Sequence, residues 1–383
     1  MASELRVNTI TEATSGSGIT FAKDIIPATP LSHRNMVING AMQVVQRGNV
    51  TGKTSSTYGG PDRFKTEINA LGTWSISQNT TNTPTDKGFK KSLKLEITAN
   101  AESSLGGASD YVNLQQRFEG QDLQHIRKGT SEAKQLTLSF WVKSNVTGNY
   151  NIELTDIDNS RHVTALSTID SANTWEYKTH TFPADTTGAF DDDTGQSLRI
   201  IWWLASGTTF TSGSRQTTWS STSNGDRAVG NANLASANNN YYEITGVQLE
   251  LGSVATPFEH RTYAEELARC QRYFTIVLRE NQGAGMSAAC DSTTYVRGLT
   301  YFPVTLRAAP TLIESDTGIV YRFNGAVNTN NDSTAPAIDV VDVYGGSIGF
   351  SGFSGLTAGQ GGAVRILNNT SPSGSYLGFD AEL

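Results

Sequence analysis

The residues that could do chemistry are scattered along the chain. Five histidines stand at 33, 125, 162, 180 and 260, and no His/Cys pair has the spacing of a zinc site. Cys270 and Cys290 could pair with each other but cannot build a disulfide framework, and Cys270 reads better as a small buried apolar residue. Gly48-Asn-Val-Thr-Gly52-Lys53-Thr54 is near a phosphate-binding loop, but its first glycine sits one residue too close and no buried parallel strand precedes it. Asp156 and Asp158 could offer carboxylates to calcium, yet the glycine and distal glutamate of such a loop are absent, so a turn is the better reading. Asp191-Asp192-Asp193 reads as a solvated loop. There is no Gly-x-Ser-x-Gly elbow. A glycan-cleaving enzyme needs two carboxylates roughly 5 to 9 Å apart, and no pair can be singled out. No catalytic residue, cofactor ligand or metal ligand is assigned.

Aromatic and amide side chains are more informative. Trp202 and Trp203 are neighbours on a strand-like run and must face opposite ways. One fills a core, while the other faces outward or lies under a loop. Trp219 sits in a Ser/Thr/Gly loop where no periodic pattern claims it. Exposed Trp and Tyr beside amides and carboxylates stack on the apolar face of a sugar and bind its hydroxyls. Trp203, Trp219, Asn238 and Asn239 are therefore the ligand-binding candidates, against the alternative that loops or a neighbouring subunit cover the rings.

The elements that must position these residues are strands. Ser, Thr, Asn and Gly supply about 39% of the 383 residues, charged residues 17%, and mean hydropathy is −0.34. With 6 Trp, 13 Tyr and 15 Phe the chain can fill cores, so disorder is excluded. The excess of strand, turn and cap formers excludes a helical enzyme. No run of about 18 apolar residues exists to insert in a membrane, and Glu4 and Arg6 stand where a signal peptide would be apolar. A net charge of −7 and a pI near 5.3 argue against nucleic acid as a partner.

Alternation in 93–97 and 136–140, and runs at 150–154, 175–182, 198–204 and 241–249, predict an antiparallel sandwich or jelly roll across 35–261, with long loops at 185–195 and 206–240. Thr262-Tyr-Ala-Glu265 has capping-box spacing, and Tyr263, Leu267, Cys270 and Phe274 make one stripe of a connecting helix over 262–274. Strand patterns resume over 275–383 and predict a smaller β-sandwich, with the run from Tyr376 closing a sheet. Residues 1–34 read as two short strands around Ser15-Gly16-Ser17-Gly18, too small to fold alone.

Three stretches resemble bacteriophage tail-fibre proteins. Arg34-Asn-Met-Val-Ile-Asn-Gly-Ala-Met42 with Val45-Gln-Arg-Gly48 resembles the opening of a module in that family, and Gly60-Pro-Asp-Arg-Phe64 looks like its next motif, with Pro61 replacing an aromatic. Ile244 to Arg261, containing Gln248-Leu-Glu-Leu-Gly-Ser and Pro257-Phe-Glu-His-Arg, is similar to the module's closing strand and exit. Glu265 to Phe274 resembles its helical sequel, E-L-x-x-C-Q-R-Y-F. Ser3 to Ile10 looks like the head of phage appendages that anchor to a virion.

The resemblance implies a jelly roll similar to carbohydrate-binding modules, a homotrimer, and attachment to a host-surface glycan, with no catalytic residues carried over. The expectation is a phage virion appendage, most simply a tail fibre, assembled in the host cytoplasm. Residues 1–34 would oligomerise and hold tail or capsid proteins, and the helix stripe would pack between copies. The rivals are a structural capsid fibre, knob or tail assembly component without a host ligand, and a glycan-cleaving spike.

Overall fold

The computed structural model describes residues 32–280, 285–325, 331–367 and 374–383. The strands expected within 1–34 lie, up to residue 31, outside the described residues.

Twelve strands build the first unit: β1 Val50–Lys53, β2 Lys65–Asn69, β3 Thr73–Asn79, β4 Ser92–Ala99, β5 Tyr111–Glu119, β6 Leu136–Ser144, β7 Gly148–Asp156, β8 Arg161–Ile169, β9 Glu176–Phe182, β10 Gln196–Ser206, β11 Ser220–Ser221 and β12 Tyr241–Leu251. They form two six-stranded antiparallel sheets, in the orders β1-β3-β4-β12-β6-β9 and β11-β8-β7-β10-β5-β2. Period-2 alternation drives the packing. Leu93, Leu95 and Ile97 of one sheet, and Leu198, Ile200, Trp202 and Leu204 of the other, are fully buried in a common core.

A helix, Tyr263–Gln271, follows; the single turn Thr208–Thr211 is α1, so this one is α2. Thr262 caps it as its spacing predicts, its hydroxyl accepting from the Glu265 N–H at 3.3 Å. The helix is shorter than the stripe suggests. Phe274 lies beyond it, and is the first residue of β13.

Among the described residues ten strands make the second unit: β13 Phe274–Arg279, β14 Met286–Cys290, β15 Tyr295–Tyr301, β16 Thr311–Glu314, β17 Tyr321–Gly325, β18 Asn331–Ser333, β19 Ala335–Val341, β20 Gly345–Ser351, β21 Gly361–Ile366 and β22 Tyr376–Asp380. A three-stranded sheet, β13-β22-β16, packs on a seven-stranded one, β18-β17-β21-β14-β15-β20-β19. The strand from Tyr376 does close a sheet, from its centre rather than its edge. The chain is all-β with short helical pieces. Among the described residues no helix is long and apolar enough to cross a membrane.

Candidate functional site

The described residues of the tail-fibre resemblance make two sets of contacts, one tying the opening segment to the closing strand of the first sandwich and one at the joint between the two sandwiches. Asn35 ties the opening segment to the closing strand: its side-chain carbonyl accepts from the N–H of Val37 at 2.9 Å and of Leu249 at 3.2 Å, and its amide donates to the Val247 carbonyl at 3.0 Å. The Asn39 side chain bridges Val44 and the Asp62 carbonyl. Gly40 must be glycine, since a Cβ there would lie 2.1 Å from the Val247 oxygen. Gln46 donates to Asp62 at 2.6 Å and to the Phe274 carbonyl at 2.8 Å, linking the first unit to β13.

Two arginines fill the interior of this joint. The Arg47 guanidinium lies 3.7 Å over the Phe274 ring and 3.2 Å from both Asp380 and Glu382. That of Arg63 lies 3.3 Å over the Tyr273 ring, pairs with Glu382 and donates to the Arg117 carbonyl at 2.8 Å. Arg117 and Tyr58 in turn donate to the Leu383 carbonyl. Burial drives the Asp62 carboxyl up, against the opposing pull of Arg47 and Gln46. Burial alone would lower the Arg63 guanidinium, but Glu382 and the facing tyrosines raise it. These groups are spent on one another, which suits a rigid joint and not catalysis.

The candidate residues of the helix stripe are not brought together as one surface. Tyr263 is exposed, Leu267 is half-buried and Cys270 is buried with its thiol pushed up by burial. Phe274 packs under Arg47 and edge-on to Tyr376. Three helical turns of apparent spacing ran into a strand because Arg272, α2's C-terminal cap, ends the helix first. Cys270 and Cys290 are both free and buried.

The outer face of the β11-β8-β7-β10-β5-β2 sheet carries a second polar assembly. Glu153 accepts from Trp203 Nε1 at 2.9 Å and from Arg227 Nε at 2.9 Å, and its Oε1 is 3.1 Å from His162 Nδ1. Burial alone would raise this carboxyl, but Arg227, His162 and Trp203 together hold it down at about 2. It cannot serve as a general acid near neutrality. Cross-strand pairing sets Arg199 beside Thr155, Thr155 beside His162 and His162 beside Ser220. This single row buries Arg199 Nε, Thr155 Oγ1, His162 Nε2 and Ser220 Oγ without protein partners.

Trp203 lies under a loop, as one of its two sequence readings has it. It is 1% exposed and packed with Phe210, Ala228 and Tyr111 beneath α1 and the chain after it, so it has no face open to a sugar. Trp219 is half-buried, donates to the Pro183 carbonyl at 2.8 Å and packs against the main core. Asn238 and Asn239 are exposed at the end of the 206–240 loop; Asn238 accepts from the Ala101 N–H at 3.1 Å, and Asn239 holds a left-handed φ of 66°. Asp156 ends β7 buried, 2.6 Å from Lys128, with the Asn159 side chain folded onto it as a turn. Asp191–Asp193 are exposed. Among the described residues no group of three or more His, Cys, Asp or Glu could hold a metal.

A polar groove of about 750 Å³ runs between the sandwiches, lined among others by Arg47, Lys53, Tyr58, Lys65, Glu314 and Asp316. The stretch 48–54 contributes to it, but Val50–Lys53 is an antiparallel strand on β3 and not a phosphate loop. Glu153, Arg199 and Arg227 are not singled out by the sequence, and His162 is weighed there only as a zinc ligand. The signal available was polar residues at every second position of β7, Asn149, Asn151, Glu153 and Thr155, on a strand whose other face is apolar.

No family model matches the chain, and no curated protein matches it. Among solved structures it is similar to the enzymatically active domain of tailspike protein 4 of bacteriophage CBA120, at 14% identity over 57% of this chain and 21% of that one, with a TM-score of 0.29. The chain thus spans about a fifth of that tailspike. It is similar to a family 11 carbohydrate-binding module from Clostridium thermocellum in complex with a β-1,3-1,4-mixed-linked tetrasaccharide, at 12% identity over 55% and 98%, TM-score 0.27. A third likeness is to the tandem CBM22-1–CBM22-2 domains of Paenibacillus barcinonensis Xyn10C, at 10% identity over 94% and 100%, TM-score 0.27. Likenesses this weak carry no argument about function.

Proposed function

We propose that the chain is a subunit of a bacteriophage virion appendage of the tail-fibre kind, which attaches the particle to host-surface glycan as a homotrimer. One observation carries this reading. The stretches that resemble tail-fibre proteins, far apart in sequence, fold against one another: Asn35 donates to the Val247 carbonyl and Gln46 to that of Phe274. Strings that matched by chance would have no reason to meet. Trimerisation multiplies weak sugar contacts into useful avidity, and the exposed loop ends at Asn238 and Asn239 remain contact candidates.

Antibody against the chain should decorate the tail tips of phage particles, and purified protein should block adsorption. Decoration confined to capsid vertices replaces the tail fibre with the capsid fibre. Absence from particles ends both readings. Light scattering should give three times the chain mass of 41.2 kDa; the monomer mass would remove the trimer.

A further inference from the structure

Trp203 of the first sandwich is buried, while the second sandwich exposes two tyrosines, Tyr301 and Tyr344. Tyr301 is 86% exposed and Tyr344 66%, beside Leu299 and Val340 at 57% and 68%. They surround one cavity of about 330 Å³. Strand register explains its shape. Tyr301 pairs with Gly345 and Leu299 with Ser347 across β15 and β20, and Val340 pairs with Ser347 across β19 and β20. Gly345 and Ser347 are thus the floor, Leu299 and Tyr301 one wall, and Val340 the other. Tyr344 closes the end from the β19–β20 turn, which Asp342 fixes by accepting from the Tyr344 and Gly345 N–H groups at 2.7 and 3.1 Å. The floor stays low because a Cβ on Gly345 would lie 2.5 Å from the Thr300 oxygen.

Four large apolar side chains left in water around one hollow mark a binding site. Its chemistry selects the occupant. The two phenol faces offer stacking to the C–H face of a pyranose. Ser347, whose hydroxyl donates to Asp339 at 2.9 Å, keeps lone pairs for a ligand hydroxyl. Among the described residues Asp342 is the one charged residue lining the cavity, so hydroxyl or ammonium donors are favoured and carboxylate-bearing sugars repelled. A second copy of the chain fits less well. Face-to-face contact here would set Asp342 against Asp342, and the β19 edge is blunted by Pro336 and a register break between Ile338 and Val340.

We propose that the Tyr301–Tyr344 cavity is a sugar-binding site for a neutral or amino pyranose of the host glycan; this rests on the attachment reading above and assigns the contact to the second sandwich. The test is binding of the full chain to immobilised neutral gluco-, galacto-, manno- and N-acetylglucosamine oligosaccharides, with uronic-acid oligosaccharides in parallel. Neutral probes should bind and acidic ones should not. Tyr301→Ala or Tyr344→Ala should each weaken binding roughly tenfold, as lost stacking implies, while Tyr301→Phe keeps most of it. Both side chains are exposed, so the variants should fold, which circular dichroism checks. Unchanged binding in the double variant overturns the cavity and leaves glycan attachment standing. No sugar binding by a protein that still blocks adsorption overturns the cavity alone, and failure of both removes the attachment reading too. Self-association abolished by Tyr301→Ala would hand the surface to a second copy and overturn the sugar site.

Discussion

Arg272 grips Glu119 at two points, its Nε 2.8 Å from one carboxylate oxygen and its NH2 group 2.6 Å from the other. The Tyr273 hydroxyl donates to the same carboxylate at 2.5 Å. Glu119 ends β5 in the first sandwich, and Arg272 and Tyr273 link α2 to the second, so one buried carboxylate holds the chain's turn from sheet to sheet. The pairing is planar and forked, which lysine cannot reproduce.

Arg272→Ala therefore leaves a fully buried charge with half its donors. Because Arg272 is itself 28% exposed, the expected loss is about 2 kcal/mol, below the 3–5 typical of a wholly buried pair. Urea unfolding should show it. Arg272→Lys should recover only part, and a loss within error for the alanine variant would show that water replaces the guanidinium.

Removing Glu382 and Leu383 should uncouple the sandwiches. Glu382 pairs with both Arg47 and Arg63, and the Leu383 carbonyl takes Arg117 and Tyr58. Without them the buried Arg63 guanidinium loses its counter-charge and Arg47 keeps only Asp380. Calorimetry should then resolve two transitions where the full chain shows one. A single transition at unchanged temperature would mean the joint is held elsewhere.

Much of the fold was legible because its strands obey a simple period. The runs at Leu93, Leu136, Tyr150, Leu198 and Tyr241 fall on β4, β6, β7, β10 and β12, and Phe274, Tyr295, Thr311 and Tyr376 each begin a strand. Among the strands the runs leave out, β1 is four residues long and exposed at its centre, so its alternation is weak, whereas β3, β5 and β8 are of seven to nine residues and β3 does alternate, at Trp74 and Ile76. Phe274 misled because eleven residues is three turns of helix, and spacing alone cannot say where a helix stops. The polar assembly on the outer sheet was illegible for a different reason. Glu153, His162, Trp203 and Arg227 are brought together by register and loop closure, and no local pattern encodes which distant segment covers a sheet face.

Acid should unfold the protein in two overlapping steps. His180 packs at 6.0 Å from Phe140 beside Lys178, and burial, then Lys178, lowers its imidazole from 6.5 to about 4. The unfolded chain takes that proton first, so His180's contribution is complete above pH 6.5 and is lost as pH falls toward 4. Glu153 is ionised down to about 2 when folded, against 4.5 for the free side chain. Its contribution is complete above 4.5 and is lost as pH falls toward 2. Stability measured by denaturant should thus decline from pH 6.5 downward; His180→Leu should flatten only the upper part of that decline. An unaltered slope would show that the imidazole is hydrated in the folded state.

Trp203 and Trp219 should separate by readout. Trp203 Nε1 is one of three donors that keep Glu153 ionised inside the fold, and its ring is buried with Phe210 at 5.1 Å. Trp203→Phe keeps most of the ring contact but removes a donor from a buried carboxylate, at about 1–3 kcal/mol. Stability should fall while sugar affinity holds, since no solute can reach the ring. Trp219 is half-buried on the outside of the core, and Trp219→Ala should lower sugar affinity only if the 206–240 loop touches the glycan. If Trp203→Phe lowered affinity without loss of stability, the loop above it would have to open to admit ligand, and the outer sheet face would become the binding surface in place of the tyrosine cavity.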